Sequence, residues 1–382
     1  MTKEIISTLE SILKINSPTG YTIEVISYIA GIFKGNNKLF ISKTNKGSLL
    51  VSLVKDPKLV ITGHIDTLGA MVKEIKHNGT LEITTLGSYP LNSFEGEYVS
   101  IRNSKGKIFR GTFLLNNPAS HVNRNVGTDK RETKTMSIRL DEIVASSEDV
   151  KKLGISVGDF IFYDNRFEYT QSGFVKSRFL DDKACAAIMI ELIREMSKNK
   201  DKKSVGFYFS NYEEVGHGSC VGIPDSAEEL LVLDMAVIGD GCTGREEAVS
   251  ICAKDSSGPY DFTMTNKLRE LAVKNKIDFE IDIYPHYGSD GSAALTAGYD
   301  VRVGLIGPGV SASHGVERTH QNALKETYNL TKAYKKIKLI FLYYSLAQWF
   351  NNKMPADYMQ AIKTKMDINL RSDKFISIYQ GL

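Results

Sequence analysis

Five short stretches of this chain combine residue types that could act together on a substrate. Gly63-His64-Ile65-Asp66 follows the apolar run at 59–62, and in open α/β sheets ligands bind just beyond the carboxyl ends of strands. A lone histidine there is ordinarily a hydrogen-bonded structural residue. A ligating imidazole, however, needs its second ring nitrogen held by an acceptor, and Asp66 is placed to supply one. Leu180-Asp181-Asp182-Lys183 lies at a loop-to-helix junction. One aspartate reads as a helix cap, satisfying free N–H groups and favouring the helix dipole. Two adjacent buried carboxylates cost more than a cap requires, and a metal would relieve them.

Asn211-Tyr212-Glu213-Glu214-Val215-Gly216 follows another apolar run. Adjacent glutamates point in different directions, so one could bind a cation while the other takes a proton from water. Asp234 stands inside the apolar run Leu231-Val232-Leu233-Asp234-Met235-Ala236, where an unpaired carboxylate is costly without a cation or strong donors. Its rival, Asp240, occupies the softer turn Gly239-Asp240-Gly241. The segment Ser313-His314-Gly315-Val316-Glu317-Arg318-Thr319-His320 supplies two histidines, and spacing alone does not choose between them. Histidine and carboxylate donors without cysteine suit Zn, Co or Mn better than an iron–sulfur or structural zinc site.

Positioning these groups falls to two kinds of segment. Helical patterns at 3–15 and 22–34 flank the turn Ser17-Pro18-Thr19-Gly20, and strand-like runs follow at 48–54 and 59–62. From about 73 to 172 short alternating strands (LEITTL, EYVSIR, KIFRGTFLL, MSIRLDEIV, DFIFY) replace any long helix, as in a small barrel or sandwich. An α/β rhythm resumes after Gly173. A helix at 183–197 is followed by strands at 204–210 and 231–238, then by a helix near 260–275. Strands near 279–284 and 301–306 then precede a final helix over 322–349. Strands alternating with helices predict a mostly parallel sheet covered on both faces. The expected organisation is therefore an α/β domain over 1–72 and 173–350, an inserted β domain over 73–172, and a helix-compatible tail over 351–382.

The 382 residues, 42% of them hydrophobic, can bury a large core. A formal charge of +3 from 48 basic and 45 acidic residues gives no reason to expect nucleic acid or a membrane surface as partner. Cys185, Cys220, Cys242 and Cys252 show no CxxC spacing and read as reduced, mostly buried thiols of a cytoplasmic protein. The first helix is amphipathic at Ile5, Leu9, Ile12 and Leu13 and has neither the apolar core nor the cleavage site of a signal peptide. No stretch approaches the roughly 18 apolar residues of a membrane span.

At these same residues the chain resembles the metallo-aminopeptidases that include the tetrahedral and glutamyl aminopeptidases. The resemblance runs to about residue 350, through GHIDTLGAMV (63–72), FLDDKACAA (179–187), YEEVGHG (212–218), LDMAVIGDG (233–241), YGSDGSAA (287–294) and ERTH (317–320). SSEDVKKLGISVGD (146–159) carries it into the inserted domain. The resemblance implies a zinc-exopeptidase-like fold and two divalent metal ions, one on His64, Asp181 and Asp234 and the other on Asp181, Glu214 and His320. It implies Glu213 as general base and Asp66 as the partner of His64. Its expected substrates are short peptides losing their N-terminal residue. The inserted domain is expected to mediate a homo-oligomer, from dimer to twelve-subunit cage, with a structural His121. Two departures stand out: Lys183 replaces the family's usual Arg after the aspartate pair, and Arg318-Thr319-His320 lacks the aromatic of R-Y-x-H.

Two rival readings remain. A glycosidase could use Glu213 and Glu214 as paired carboxylates, but those must flank a sugar ring about 5–9.5 Å apart and need no histidine ligands. A non-catalytic, metal-bound assembly protein would have no use for Glu213.

Overall fold

The computed structural model describes residues 1–198 and 204–336. Helix α1 (Thr2–Leu13) buries Ile5, Leu9, Ile12 and Leu13, each worth roughly 1.5–3 kcal/mol relative to exposure. It precedes α2 (Ile23–Phe33), β1 (Phe40–Lys43), β2 (Leu49–Ser52) and β3 (Leu59–His64). The chain then enters a run of antiparallel strands: β4 (Gly69–Ile75), β5 (Leu81–Leu86), β6 (Tyr98–Arg102), β7 (Ile108–Leu115), β8 (Met136–Leu140) and, after the short α3 (Ser147–Lys152), β9 (Phe160–Tyr163). These six close on themselves in the order β4-β5-β8-β7-β6-β9, so the alternating segment is a barrel. Its inward side chains, among them Ile83, Val99, Ile101, Phe113, Ile138 and Ile161, are wholly buried. The first barrel strand begins at Gly69 rather than near 73.

The remaining elements return to the α/β layer. They are β10 (Glu168–Tyr169), β11 (Phe174–Ser177), α4 (Leu180–Lys198), β12 (Val205–Ser210), β13 (Glu229–Leu233), β14 (Ala236–Val237), β15 (Val249–Lys254), α5 (Phe262–Lys274), β16 (Phe279–Ile283), α6 (Asp290–Thr296), β17 (Arg302–Val310), β18 (Glu317–His320) and α7 (Gln321–Lys336). Among the described residues the main sheet has nine strands, in the order β1-β2-β12-β3-β13-β17-β15-β16 with β14 paired to β17. The central four, β12, β3, β13 and β17, are mutually parallel. On either side β2 and β15 run antiparallel to them, so the sheet is mixed with a parallel centre. Strands β3, β12 and β13 are buried along their whole length, as expected when helices such as α4 cover a parallel sheet.

Two sequence expectations change in detail. The continuous strand at 231–238 breaks at Asp234-Met235 into β13 and β14. A Cβ on Gly307 of the neighbouring β17 would overlap Asp234 O, so glycine there admits the break. Only α7 represents the expected helix over 322–349. The rest of that expectation, residues 337–349, like the tail expected at 351–382, lies outside the described residues.

Candidate metal centre

The parallel register brings three strand ends to one place. Ser210 pairs with His64, and Val232 with Thr62. The carboxyl ends of β3, β12 and β13 therefore deliver His64, the turn bearing Glu213 and Glu214, and Asp234. From the other side, α4 contributes Asp181 and Asp182. Their backbone is not helical (ψ 105° and 29°), so the regular helix starts after them; Asp182 stands where an N-cap would, but neither of its oxygens has a hydrogen-bond partner, so it does not cap through its side chain. Gly63 lets this pair approach, since a Cβ there would lie 3.0 Å from Asp182 Oδ2 and 3.0 Å from Leu233 O. The loop after β17 and the first residue of β18 complete the site with His314 and Glu317.

His64 Nε2 lies 2.9 Å from Asp181 Oδ1 and 3.8 Å from Glu213 Oε2. The other oxygen of Asp181 lies 3.5 Å from His314 Nε2, which is also 3.6 Å from Glu214 Oε2. Asp181 thus spans the two imidazoles. Glu317 Oε2 accepts from Asp181 N at 3.1 Å, and its Oε1 from His314 N at 3.2 Å. Donor atoms of His64, Asp182 and Asp234 fall within 4.8 Å of one another, and so do those of His64, Asp181 and Glu214.

So many buried carboxylates disturb one another's ionisation. Burial, then the charge of Asp234, pushes Asp182 well above the ordinary carboxylate range. Burial also raises Glu213 and Glu214 well above it, despite the opposing influence of His64. Asp234 rises to about 8 from burial and the charge of Asp181. Glu317 likewise rises to about 8 from burial and Asp181. Burial would raise Asp181 too, but contacts with His314 and His64 hold it well below the usual range. Burial opposes protonation of the histidines, yet Asp181 and the neighbouring carboxylates win, raising His64 strongly and His314 to about 10. Both oxygens of Asp182 and Oε1 of Glu214 are buried without a hydrogen-bond partner. Orphaned carboxylate oxygens beside imidazoles are a hard-donor set for divalent cations, and the residues fit such ions.

The sequence profile of the M42 glutamyl aminopeptidases matches residues 47–330. The chain belongs to the M42 family. YhfE of Bacillus subtilis (strain 168), which carries an aminopeptidase name, is 44% identical over 337 residues, covering 87% of this chain and 97% of that protein. Among solved structures, a TET aminopeptidase from a marine-sediment thaumarchaeote superposes with TM-score 0.78 at 20% identity, over 88% of this chain and 96% of that one. The TET1 peptidase of Pyrococcus horikoshii does so with TM-score 0.77 at 21% identity, over 87% and 99%. As an M42 member the protein is a hydrolase of the aminopeptidase kind.

Within this M42 site some sequence expectations meet a different geometry. His320 is not in the cluster: its Nε2 faces Ser172 O at 3.0 Å, and its Nδ1 accepts from Asn322 N at 3.2 Å. The reason is pairing. Strand β18 lies antiparallel to β11 with His320 opposite Phe174, which carries that ring away from the strand ends, whereas His314 sits in the turn facing them. Asp66 supports His64 through its backbone: Nδ1 lies 2.9 Å from Asp66 O but 3.7 Å from Oδ1. Its carboxylate instead accepts from Thr19 Oγ1 at 2.6 Å and from Glu213 N at 3.2 Å, tethering the turn that carries the glutamates. Asp240 and His121 are both exposed, the latter in the loop between β7 and β8.

Several contributors carry little signal in the sequence. Glu317 is legible only as part of the H-G-V-E spacing. Asp290, from the YGSDGSAA stretch, is buried with Oδ2 accepting from Thr62 Oγ1 at 2.9 Å. Lys183 is fully buried, donating to Ile12 O and Ile15 O at 3.0 and 2.6 Å, and burial lowers its pKa to about 7. It thereby ties the end of α1 to the site. A cavity of about 630 Å³ opens on Asp181, Glu213, Glu214, Asp234 and His314 and extends past Cys220, His286, Ser292 and Thr296.

Proposed function

We propose that this M42 protein is a zinc-exopeptidase-like, metal-dependent aminopeptidase that removes N-terminal residues from short peptides. The observation that carries the reading is the position of Asp181, with one oxygen 2.9 Å from His64 and the other 3.5 Å from His314. A carboxylate so placed can serve two cations at once. His64 with Asp181 and Asp234 would hold one, and His314 with Asp181 and Glu214 the other, with Asp182 a further donor beside Asp234. Zinc suits these donors, as do cobalt and manganese. When bound, the pair supplies Lewis acidity to a scissile carbonyl and acidifies water.

Glu213 is the general base of this scheme. It lines the cavity and stays partly exposed; its Oε2 can take a proton from the attacking water and return it to the leaving amine. Asp66 keeps it in place through Glu213 N. The cavity's acidic floor attracts the free α-ammonium of a peptide, which selects for an unblocked N-terminus.

Glu213 and Glu214 each stand beside an imidazole, His64 at 3.8 Å and His314 at 3.6 Å, and a glycosidase's paired carboxylates need no such partners, which argues against that reading. A non-catalytic assembly protein leaves Glu213 unexplained. The TET1 peptidase of Pyrococcus horikoshii can assemble into a tetrahedron or a large octahedral shell. We extend a homo-oligomer to this chain through its barrel, where Tyr98, Ile108 and Val157 are exposed. The four cysteines are free, consistent with a cytoplasmic setting. Among the described residues no helix is long and apolar enough to cross a membrane.

The test is release of the first residue from unblocked peptides and aminoacyl anilides, with and without chelator, beside the N-acetylated peptide and a soluble β-glucan. Expected are cleavage of unblocked substrates only, loss on chelation, and recovery with Zn, Co or Mn. Chelator-insensitive cleavage, or hydrolysis of the blocked peptide or the glucan, would overturn the proposal.

A further inference from the structure

The turn that presents His314 is held from the inserted barrel. Ala312 and His314 both adopt left-handed backbone (φ 58° and 61°), a conformation that non-glycine residues keep only where their surroundings over-determine it. Within the turn, Gly315 N donates to Ala312 O at 3.0 Å and His314 N to Glu317 Oε1 at 3.2 Å. Ser311 and Arg318 close its base through paired backbone hydrogen bonds of 2.8 and 3.1 Å, and further restraints come from the segment between β5 and β6. His314 Nδ1 lies 2.6 Å from Ser88 O, which requires Nδ1 to carry the proton and leaves Nε2 to face Asp181 and Glu214. Beside it, Gly87 packs 3.5 Å from Glu214 Cβ, measured from where its own Cβ would be.

Arg178 joins these parts. Its side chain is 1% exposed. Nη1 donates to Gly315 O at 3.0 Å, while Nη2 donates to Ser93 O at 2.6 Å and to Glu97 Oε1 at 2.8 Å. The guanidinium lies 4.0 Å over the ring of Phe94. Ser88, Ser93, Phe94 and Glu97 all belong to the inserted barrel, whereas Gly315 follows His314 directly. A planar fork with fixed donor directions can satisfy these acceptors together; an ammonium, acting as a point charge, cannot.

We propose that Arg178 is a positioning residue for one of the two metals, and that the barrel, through Ser88 O and the Arg178 fork, forms the outer support of His314. This rests on the two-metal reading above. The support is one-sided. His64 takes its Nδ1 partner from Asp66 O in its own strand-end turn, so disturbing Arg178 should weaken the metal on His314 and spare the metal on His64. A purely architectural arginine would lower stability without separating the two.

The test is zinc titration of the metal-free, full-length protein against a competing chelator, for wild type, Arg178→Lys and Glu97→Gln. Near-ultraviolet circular dichroism and Tm establish that each variant is folded. Support shells of this kind change metal affinity by about 10–100-fold. Arg178→Lys is therefore expected to weaken one zinc event by about that factor and leave the other at the wild-type value. Turnover should recover as zinc is raised, with KM little changed. Glu97→Gln, which frees the fork without removing it, should weaken the same event less. If Arg178→Lys does not fold, Glu97→Gln alone carries the same asymmetry. Two wild-type events that both stay unchanged, or fall together, in the folded variants would overturn the positioning role and leave the two-metal reading standing. A wild type that shows no second zinc event would overturn the two-metal reading and this proposal with it.

Discussion

Replacing His314 and His320 separately by alanine should produce two different proteins. His320 makes one contact to Ser172 O, accepts one hydrogen bond from Asn322 N, and sets its ring against Phe174 at 5.0 Å. Hydrogen bonds of this kind contribute about 0.5–1.5 kcal/mol each and an aromatic contact a similar amount. Truncation should therefore cost up to about 1.5–4.5 kcal/mol, a fall of several degrees in Tm, with metal content untouched. His314 stands 3.5 Å from Asp181 Oδ2 and 3.6 Å from Glu214 Oε2 and would be one of about three protein ligands to its ion. Because even outer-shell changes cost about 10–100-fold in affinity, its loss should exceed that range and empty one site. The assay is metal stoichiometry after extensive dialysis, with Tm and turnover measured on the same samples. If His320→Ala loses a metal and His314→Ala keeps both, the assignment drawn from these distances is wrong.

Glu213→Gln should lower turnover by about 10²–10⁴-fold while both metals stay bound; metal analysis showing an equivalent lost would make Glu213 a ligand instead. In Gly218→Ala the new methyl would collide with Asp290 Oδ1 and lie 3.1 Å from Glu213 Cα. The expected cost is about 1–3 kcal/mol of stability together with slower turnover, and wild-type values for both would refute it. The chelated protein should lose Tm as pH rises from about 6 to 9. Asp182, Glu213, Glu214 and Asp234 hold protons more tightly folded than unfolded, Asp234 to about 8, so the folded state binds the excess protons and stability falls with pH. The raised His64 and His314 act in the same direction, their contribution vanishing as pH passes the folded values, about 10 for His314. Two groups act oppositely: Asp181, depressed, only in acid, and Lys183, lowered to about 7, above that pH, where the raised carboxyls and histidines outnumber it. A Tm that rises over this range, or a fall that zinc does not reverse, would contradict the charge balance.

What was legible in the sequence followed from position relative to strands. His64, Glu213, Glu214 and Asp234 all lie at the ends of wholly buried strands, and an apolar run interrupted by a carboxylate advertises that geometry without any tertiary knowledge. The aspartate pair was half legible. The sequence expects one member to cap a helix; Asp182 does stand in non-helical backbone just before the regular helix (ψ 29°), but its oxygens make no capping hydrogen bond, and a helical period does not report where its first turn begins. Between His314 and His320 the sequence offered only spacing and a family match at ERTH. The deciding fact, the antiparallel pairing of β18 with β11, joins segments separated by more than a hundred residues. Ser88 and Arg178 were invisible for a related reason: one acts through a carbonyl that any residue carries, and the other is a lone arginine before the motif. Barrel and sandwich could not be told apart either, because closure depends on β9 meeting both β4 and β6.

That closure bears on how copies of this chain could touch. An open sheet ends in a row of unpaired N–H and C=O groups that any extended peptide can extend, whereas a closed barrel has none. Strand addition is therefore barred on the inserted domain, and a neighbour must be recognised by side chains such as Tyr98, Ile108 and Val157. Among the described residues the main sheet ends at β1 and β16, and β1 is exposed throughout, with Lys43 among its four residues. A charged residue there discourages ladder growth. Among the described residues, a peptide product leaving the cavity thus finds no backbone template on the barrel, and at the β1 edge of the main sheet a short, lysine-bearing one.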